Sequence, residues 1–157
     1  RISTHTGVLY PLQSIRKEIK TYPPIPVMLE ASSDEVLRRL QALAQSISGS
    51  VTVTNSEQRL KYHLTAVLCN NFTNHLIAQA KADCEKEQLD FALLQPIIKE
   101  TFDRLEKYPP EMVQTGPAMR QDEATMHLHR DLLADNTHLQ QVYQVISDAI
   151  YQFHNNH

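Results

Sequence analysis

The chain has 157 residues, of which 41% are hydrophobic, and a formal net charge of −3. That is the size of one domain, or of a small domain plus part of another, with enough apolar content for a core that needs no covalent staples. No basic run is longer than a pair, which argues against nucleic acid or an anionic membrane surface as the main partner. Cys69 and Cys84 form no CxxC pair, and they read as free, buried thiols of a reducing compartment. No signal-peptide or transmembrane pattern is present, so the cytoplasm is the expected location.

In chain order, Val8-Leu9-Tyr10 is a short apolar run stopped by Pro11 and followed by Leu12-Gln13-Ser14-Ile15. Tyr22-Pro23-Pro24 ends this segment as an extended turn. Ile25 to Leu29 reads as a strand, with Pro26 placing it at an edge or at a strand start. Ser32-Ser33-Asp34-Glu35 has the pattern of a capping box. Behind it, Val36, Leu40, Leu43, Ala44 and Ile47 recur at helix spacing until Gly49, which is expected to close the helix. Val51-Thr52-Val53 is a second strand. Strand, helix and strand make a βαβ-sized unit, and two strands are too few for a stable sheet.

Thr54-Asn55-Ser56-Glu57 caps a long helix over Glu57 to Lys81, which carries no Asp, Glu, Lys or Arg between Lys61 and Lys81. A charge-free run of that length marks either a membrane span or a helix deep in a core. Three asparagines, two histidines and two threonines within it exclude the span, since hydrocarbon tolerates them poorly. The helix is therefore expected to be buried, with a polar seam. At about 100° per residue, His63, Val67, Asn70, Asn71, Asn74 and Ala78 share roughly a 100° arc. Asparagine is a poor helix former, because its amide competes for backbone bonds. The seam is either a site whose amides and imidazole orient a substrate's oxygens, or an interhelical hydrogen-bond network that fixes packing or dimer register.

A further helix starts near Asp90, with Pro96 in its first turns, and stops at Tyr108-Pro109-Pro110. Gln114-Thr115-Gly116-Pro117 follows, then helices over about Gln121 to Ala134 and Thr137 to Phe153. The Gly-Pro loop with Arg120 is a candidate anion seat at a helix N-terminus; an ordinary loop with an Arg120–Asp122 surface pair is the simpler reading. His127 and His129 lie two apart and so point away from each other on a helix, and no metal site is expected. Only Gly7, Gly49 and Gly116 are glycines, and no glycine-rich phosphate loop can be built from them. The chain opens at Arg1 rather than at a methionine, so a fragment of a longer protein is expected.

Three separated motifs occur in the order found in one family. They are Val8-Leu9-Tyr10-Pro11-Leu12-Gln13, then Ala66-Val67 with Asn71-Phe72-Thr73-Asn74, then Gln114-Thr115-Gly116-Pro117-Ala118 with Arg120 and Asp122. From about Thr4 to Ile150 the chain resembles Rossmann-like proteins ending in the domain of unknown function 2520, relatives of the coenzyme-F420-dependent NADP oxidoreductases. The resemblance implies a mainly α fold: a C-terminal helical bundle of 6-phosphogluconate dehydrogenase type, preceded by a short βαβ remnant of a Rossmann-like domain. Residues 1–55 would be the C-terminal part of the Rossmann-like domain and residues 56–157 the all-α domain. Gln121 departs from the glycine expected before Asp122.

On this resemblance the chain is the C-terminal substrate and dimerisation part of an NAD(P)-dependent oxidoreductase, inactive alone. NAD(P) would be bound mainly by an N-terminal domain outside the chain, with no cofactor bound by the chain alone. His63 and Asn74 are the expected catalytic residues. Tyr10, Gln13, Asn71, Gln114, Thr115, Gly116 and Arg120 are expected to bind a small-molecule substrate, and a homodimer is expected through the helical part. The alternative is a non-catalytic helical dimerisation or binding module.

Overall fold

A computed structural model describes residues 4–155. The chain is mainly helical, with one three-stranded sheet, and it divides into two compact units between Ile77 and Ala78.

The first unit is built on the sheet. Strands β1 (Gly7–Pro11), β2 (Val27–Ala31) and β3 (Val51–Val53) lie in the order β1-β2-β3, with helix α1 (Asp34–Ile47) between β2 and β3. β2 and β3 are parallel, which makes β2-α1-β3 the expected βαβ unit, while β1 is antiparallel to β2. The run Val8-Leu9-Tyr10 is thus a strand, and it supplies the third member that two strands alone lack. Pro11 is tolerated because it ends an edge strand, paired with Val27. Pro26 immediately precedes β2, at a strand start, yet β2 is the central strand. Val27, Leu29 and Ala44 form the core, with Leu9, Leu37, Leu40 and Val51 packed against it. Gly7 is needed for close approach: a Cβ there would lie 2.5 Å from Leu40 Cδ1 and 3.1 Å from the Glu30 carbonyl oxygen.

Two local expectations differ. Ser33 caps α1 alone, through Val36 N–H at 3.4 Å, because the third helical residue is Val36 and cannot return the bond of a capping box. Ser32 instead accepts from the Thr6 N–H at 3.0 Å. At the other end Gly49 does not close α1; Ser48 does, in extended conformation, with its N–H on the Ala44 carbonyl. The Ser48 hydroxyl accepts from Ser50 N–H and donates to the Ile25 carbonyl, so the turn is tied to the start of β2.

Helix α2 (Ser56–Ala66) starts from a true capping box, with Asn55 accepting from Gln58 N–H at 2.8 Å and the Gln58 side chain accepting from Asn55 N–H at 3.2 Å. Glu30 on β2 accepts from the Ser56 hydroxyl and pairs with Arg59, which anchors this end of α2 on the sheet. The helix then passes through a π-helical stretch, Val67–Phe72, before continuing as α3 (Thr73–Lys86). None of the residues from Ser56 to Lys86 is buried in this chain. The expectation of a deeply buried helix is therefore corrected: Leu60 is 68% and Leu64 60% exposed. A charge-free run records what a helix avoids meeting in water, and a single copy of the chain does not cover it. The thiols follow suit, with Cys69 exposed and Cys84 half-buried, both free.

In the second unit, Asp90 caps a short 3₁₀ turn, Phe91–Leu94, that leads into α4 (Gln95–Leu105), with Pro96 in its first turn where no N–H is missed. Helices α5 (Glu123–Leu132) and α6 (Thr137–Asn155) follow. They are joined by the Gln140 amide donating to the Arg130 carbonyl at 2.7 Å and by a bond between His129 Nδ1 and the Tyr143 hydroxyl. An ion pair from Lys86 to Asp135 ties the end of α3 to the α5–α6 turn. His127 faces Asp131 instead, so the two neighbouring histidines serve different partners. Among the described residues, no helix is long and apolar enough to cross a membrane.

Candidate functional site

In the first unit, the segment between β1 and β2 runs alongside the π-helical stretch and leaves two adjoining clefts. The first, about 390 Å³, is lined by Tyr10, Gln13, Ser14, His63, Asn70 and Asn71 among others. The second, about 700 Å³, shares Gln13, Ser14, Asn70 and Asn71 and adds Arg16, Tyr22 and Asn74. Five sequence-predicted residues, Tyr10, Gln13, His63, Asn71 and Asn74, are thus brought together.

The geometry follows from local causes. Tyr10 is next to last in β1, opposite Met28, and His63 is in the final turns of α2, whose first turn Glu30 anchors. The Tyr10 hydroxyl and His63 Nδ1 are 2.9 Å apart, with the rings edge to face at 80°. Further along, Asn70 donates through Nδ2 to Ser14 Oγ at 3.0 Å. The Tyr22 hydroxyl donates to the Arg16 carbonyl at 2.6 Å and accepts from the Arg16 N–H, closing the loop on itself. The π-helical turn is one residue wider than an α turn, a feature that recurs at functional sites. Here it lies where adjacent Asn70 and Asn71 line the same clefts. Ser14 and Tyr22 were not singled out by sequence, because the bonds that place them, to Asn70 and to the Arg16 backbone, are seen only in the folded chain.

Electrostatically the clefts are nearly neutral. Arg16 is the only charged side chain among the residues that line them, and it pairs with Glu18 at 3.6 Å on the surface. Glu30, beneath the start of α2, is held below its ordinary value, first by the Arg59 hydrogen bond and then by Ser56.

Gln114, Thr115, Gly116 and Arg120 belong to the second unit. Gly116 has φ +110° with no atom within 4 Å of a would-be Cβ, so backbone conformation alone demands glycine there. Gln121 also takes a positive φ, 56°, at the place where a glycine was expected. The Arg120 N–H is bonded to the Gly116 and Pro117 carbonyls. The helix N-terminus that follows is capped by Asp122, which accepts from Thr125 N–H at 3.1 Å and from the Thr125 hydroxyl at 2.7 Å. Those bonds, with a smaller contribution from Arg120, hold the Asp122 carboxyl below its ordinary value. This helix end therefore already has its anion. Gln114 lines an apolar cleft of about 370 Å³ with Val145, Ile146, Ile150 and Phe153.

One junction was open to a test for a dinucleotide's pyrophosphate, and its residues do not fit. The β2–α1 junction is the strand–turn–helix position where such a cradle forms, but it holds no glycine. It also places Asp34 and Glu35 in the first helical turn, where their charge repels phosphate.

Residues 25–150 match the family described as Domain of unknown function (DUF2520), and the chain belongs to that family. The fold is similar to that of a protein from Bacteroides fragilis whose crystal structure is described as a "putative NADP oxidoreductase". The two share 39% identity at a TM-score of 0.89, over 94% of this chain and 57% of that one. It is also similar to protein TM1727 from Thermotoga maritima, at 25% identity and a TM-score of 0.75, over 96% of this chain and 62% of that one. The chain thus spans less than two thirds of the length of either neighbour. Comparison with curated proteins gives no match.

Proposed function

We propose that this chain is the substrate-side part of an NAD(P)-dependent oxidoreductase that acts on a small molecule in the cytoplasm. The observation that carries the reading is the pair of adjoining polar clefts, both lined by Gln13 and Asn71, with His63 in one and Asn74 in the other. It is supported by the similarity to the Bacteroides fragilis protein. Convergent amides beside an imidazole suit a substrate with carbonyl or hydroxyl oxygens. His63 exchanges or donates a proton at a substrate oxygen, and Asn74 orients the part of the substrate that lies in the adjoining cleft. Asn71 and Gln13 bind the remainder, with Tyr10 beside His63. The participation of Gln114, Thr115, Gly116 and Arg120 rests on the motif shared with the family. The dinucleotide is assigned mainly to an N-terminal portion outside this chain, a reading supported by the acidic, glycine-free β2–α1 junction.

NADPH titration of the full-length protein, followed by fluorescence, tests the cofactor. Turnover of Asn74→Ala tests the site: activity should fall more than stability. Equal losses of folding and activity would mean that the asparagines serve packing.

A second reading has its own observation. Leu60, Leu64, Leu68, Phe72 and Leu76 leave an apolar row exposed along α2 and α3, and a second copy of the chain covers it in a homodimer. In the non-catalytic version of this reading the chain is only a dimerisation module. Sedimentation showing a monomer at micromolar concentration would remove the dimer from both readings.

A further inference from the structure

The bond between Tyr10 and His63 joins two elements that are separately anchored, 53 residues apart in sequence. β1 is held by its pairing with β2, and α2 by Glu30 through Ser56 and Arg59. A neutral imidazole carries one proton, on either Nδ1 or Nε2, and the partner of one nitrogen decides the role of the other. Across this contact the phenol is the better acid and the bare ring nitrogen the better base. The hydrogen bond therefore runs from the Tyr10 O–H to Nδ1. The ring proton is left on Nε2, the nitrogen that Tyr10 does not occupy.

We propose that Tyr10 is a positioning residue that fixes His63 in the Nε2–H form. His63 then meets a ligand in the cleft as a hydrogen-bond donor. This assigns the ligand class at that end of the cleft: a group with an acceptor oxygen, such as a carbonyl. It also replaces the direct substrate contact expected of Tyr10 with an indirect one. The inference rests on the reading of the cleft as a substrate site, and it chooses between the two roles, donor and base, open to His63 there.

The molecule contains its own control. His129 Nδ1 and the Tyr143 hydroxyl also stand 2.9 Å apart, with rings edge to face at 83°, in the other unit. The full-length protein is labelled with ¹⁵N-histidine, and long-range ¹H–¹⁵N spectra are recorded above the histidine titration range. His63 is assigned by its disappearance in His63→Gln.

The expected result is a single tautomer at His63, protonated on Nε2. In Tyr10→Phe it gives way to averaged signals from both nitrogens, while His129 is unchanged. Tyr143→Phe should do the reverse. A His63 protonated on Nδ1 in the unmodified protein would overturn the inference, as would a tautomer that Tyr10→Phe leaves intact. A merely structural latch predicts that last result. The decision does not pass through turnover. Failure of the underlying substrate-site reading shows separately, as unchanged turnover in His63→Gln.

Discussion

Two regions have the composition of a ligand site: the cleft around His63 and the turn from Gln114 to Asp122. Both combine amides, a hydroxyl residue and an arginine, and both lie beside a helix. They differ in how many of their polar groups the chain itself satisfies. In the turn, Asp122 occupies the end of α5, and the Arg120 N–H is held by Gly116 and Pro117. In the cleft, Asn70 is held by Ser14 and one nitrogen of His63 by Tyr10, while the other ring nitrogen has no partner in these bonds. A ligand-like composition is thus a weak guide until each donor and acceptor has been followed to its partner.

The sharpest way to break this comparison is substitution in the cleft. His63→Gln should lower turnover of the full-length protein by about 100-fold or more, the usual size of a lost acid–base group. Thermal unfolding should be nearly unchanged, because the side chain is exposed. A smaller kinetic loss than that of Arg120→Ala would reverse the ranking of the two regions.

The turn should answer in stability instead. Gly116→Ala places a side-chain residue at φ +110°, a cost of about 1–3 kcal/mol, visible in urea denaturation. A similar but smaller experiment removes the cap: Asn55→Ala breaks the reciprocal bonds at the start of α2 and should cost about 1 kcal/mol. Because that end holds α2 on the sheet, the Tyr10–His63 bond should loosen with it, which the His63 tautomer signals would register.

The smallest effect is on the pH profile. Glu30 is lowered from 4.5 by Arg59 and Ser56, so the native state favours its charged form. Its contribution to stability is fully present above 4.5 and is lost as the pH falls through the lowered native value. Urea midpoints measured across this acid range should flatten in Glu30→Gln relative to the unmodified protein. Unaltered pH dependence would mean that the Arg59 pair is silent in solution, as many surface pairs are.

Much of the architecture is local and could be read directly. The spacing of Val36, Leu40, Leu43, Ala44 and Ile47, the cap within Thr54 to Glu57 and Pro96 in a first turn depend on residues within a few positions of each other, and the βαβ unit follows from the order of such short elements. The arc of His63, Asn70, Asn71 and Asn74 was equally readable, because a helix converts spacing into direction. What faced that arc came only from the resemblance, which set Tyr10 and Gln13 there, and it left out Ser14 and Tyr22. The partner segment between β1 and β2 is about fifty residues away in sequence, and its strand carries a proline that hides it.

Helix periodicity also assumed one register from Glu57 to Lys81, whereas the π-helical turn shifts it between Val67 and Phe72. The lack of charge along this run pointed to burial, which the chain does not provide, since burial depends on what packs against the helix. Sequence by itself determined the elements, the family and the candidate residues, because propensity, caps and motifs are short-range. Only the tertiary structure decided which donors remain open. That depends on which groups distant in the chain come within about 3 Å of each other: His63 finds Tyr10, and Asn70 finds Ser14.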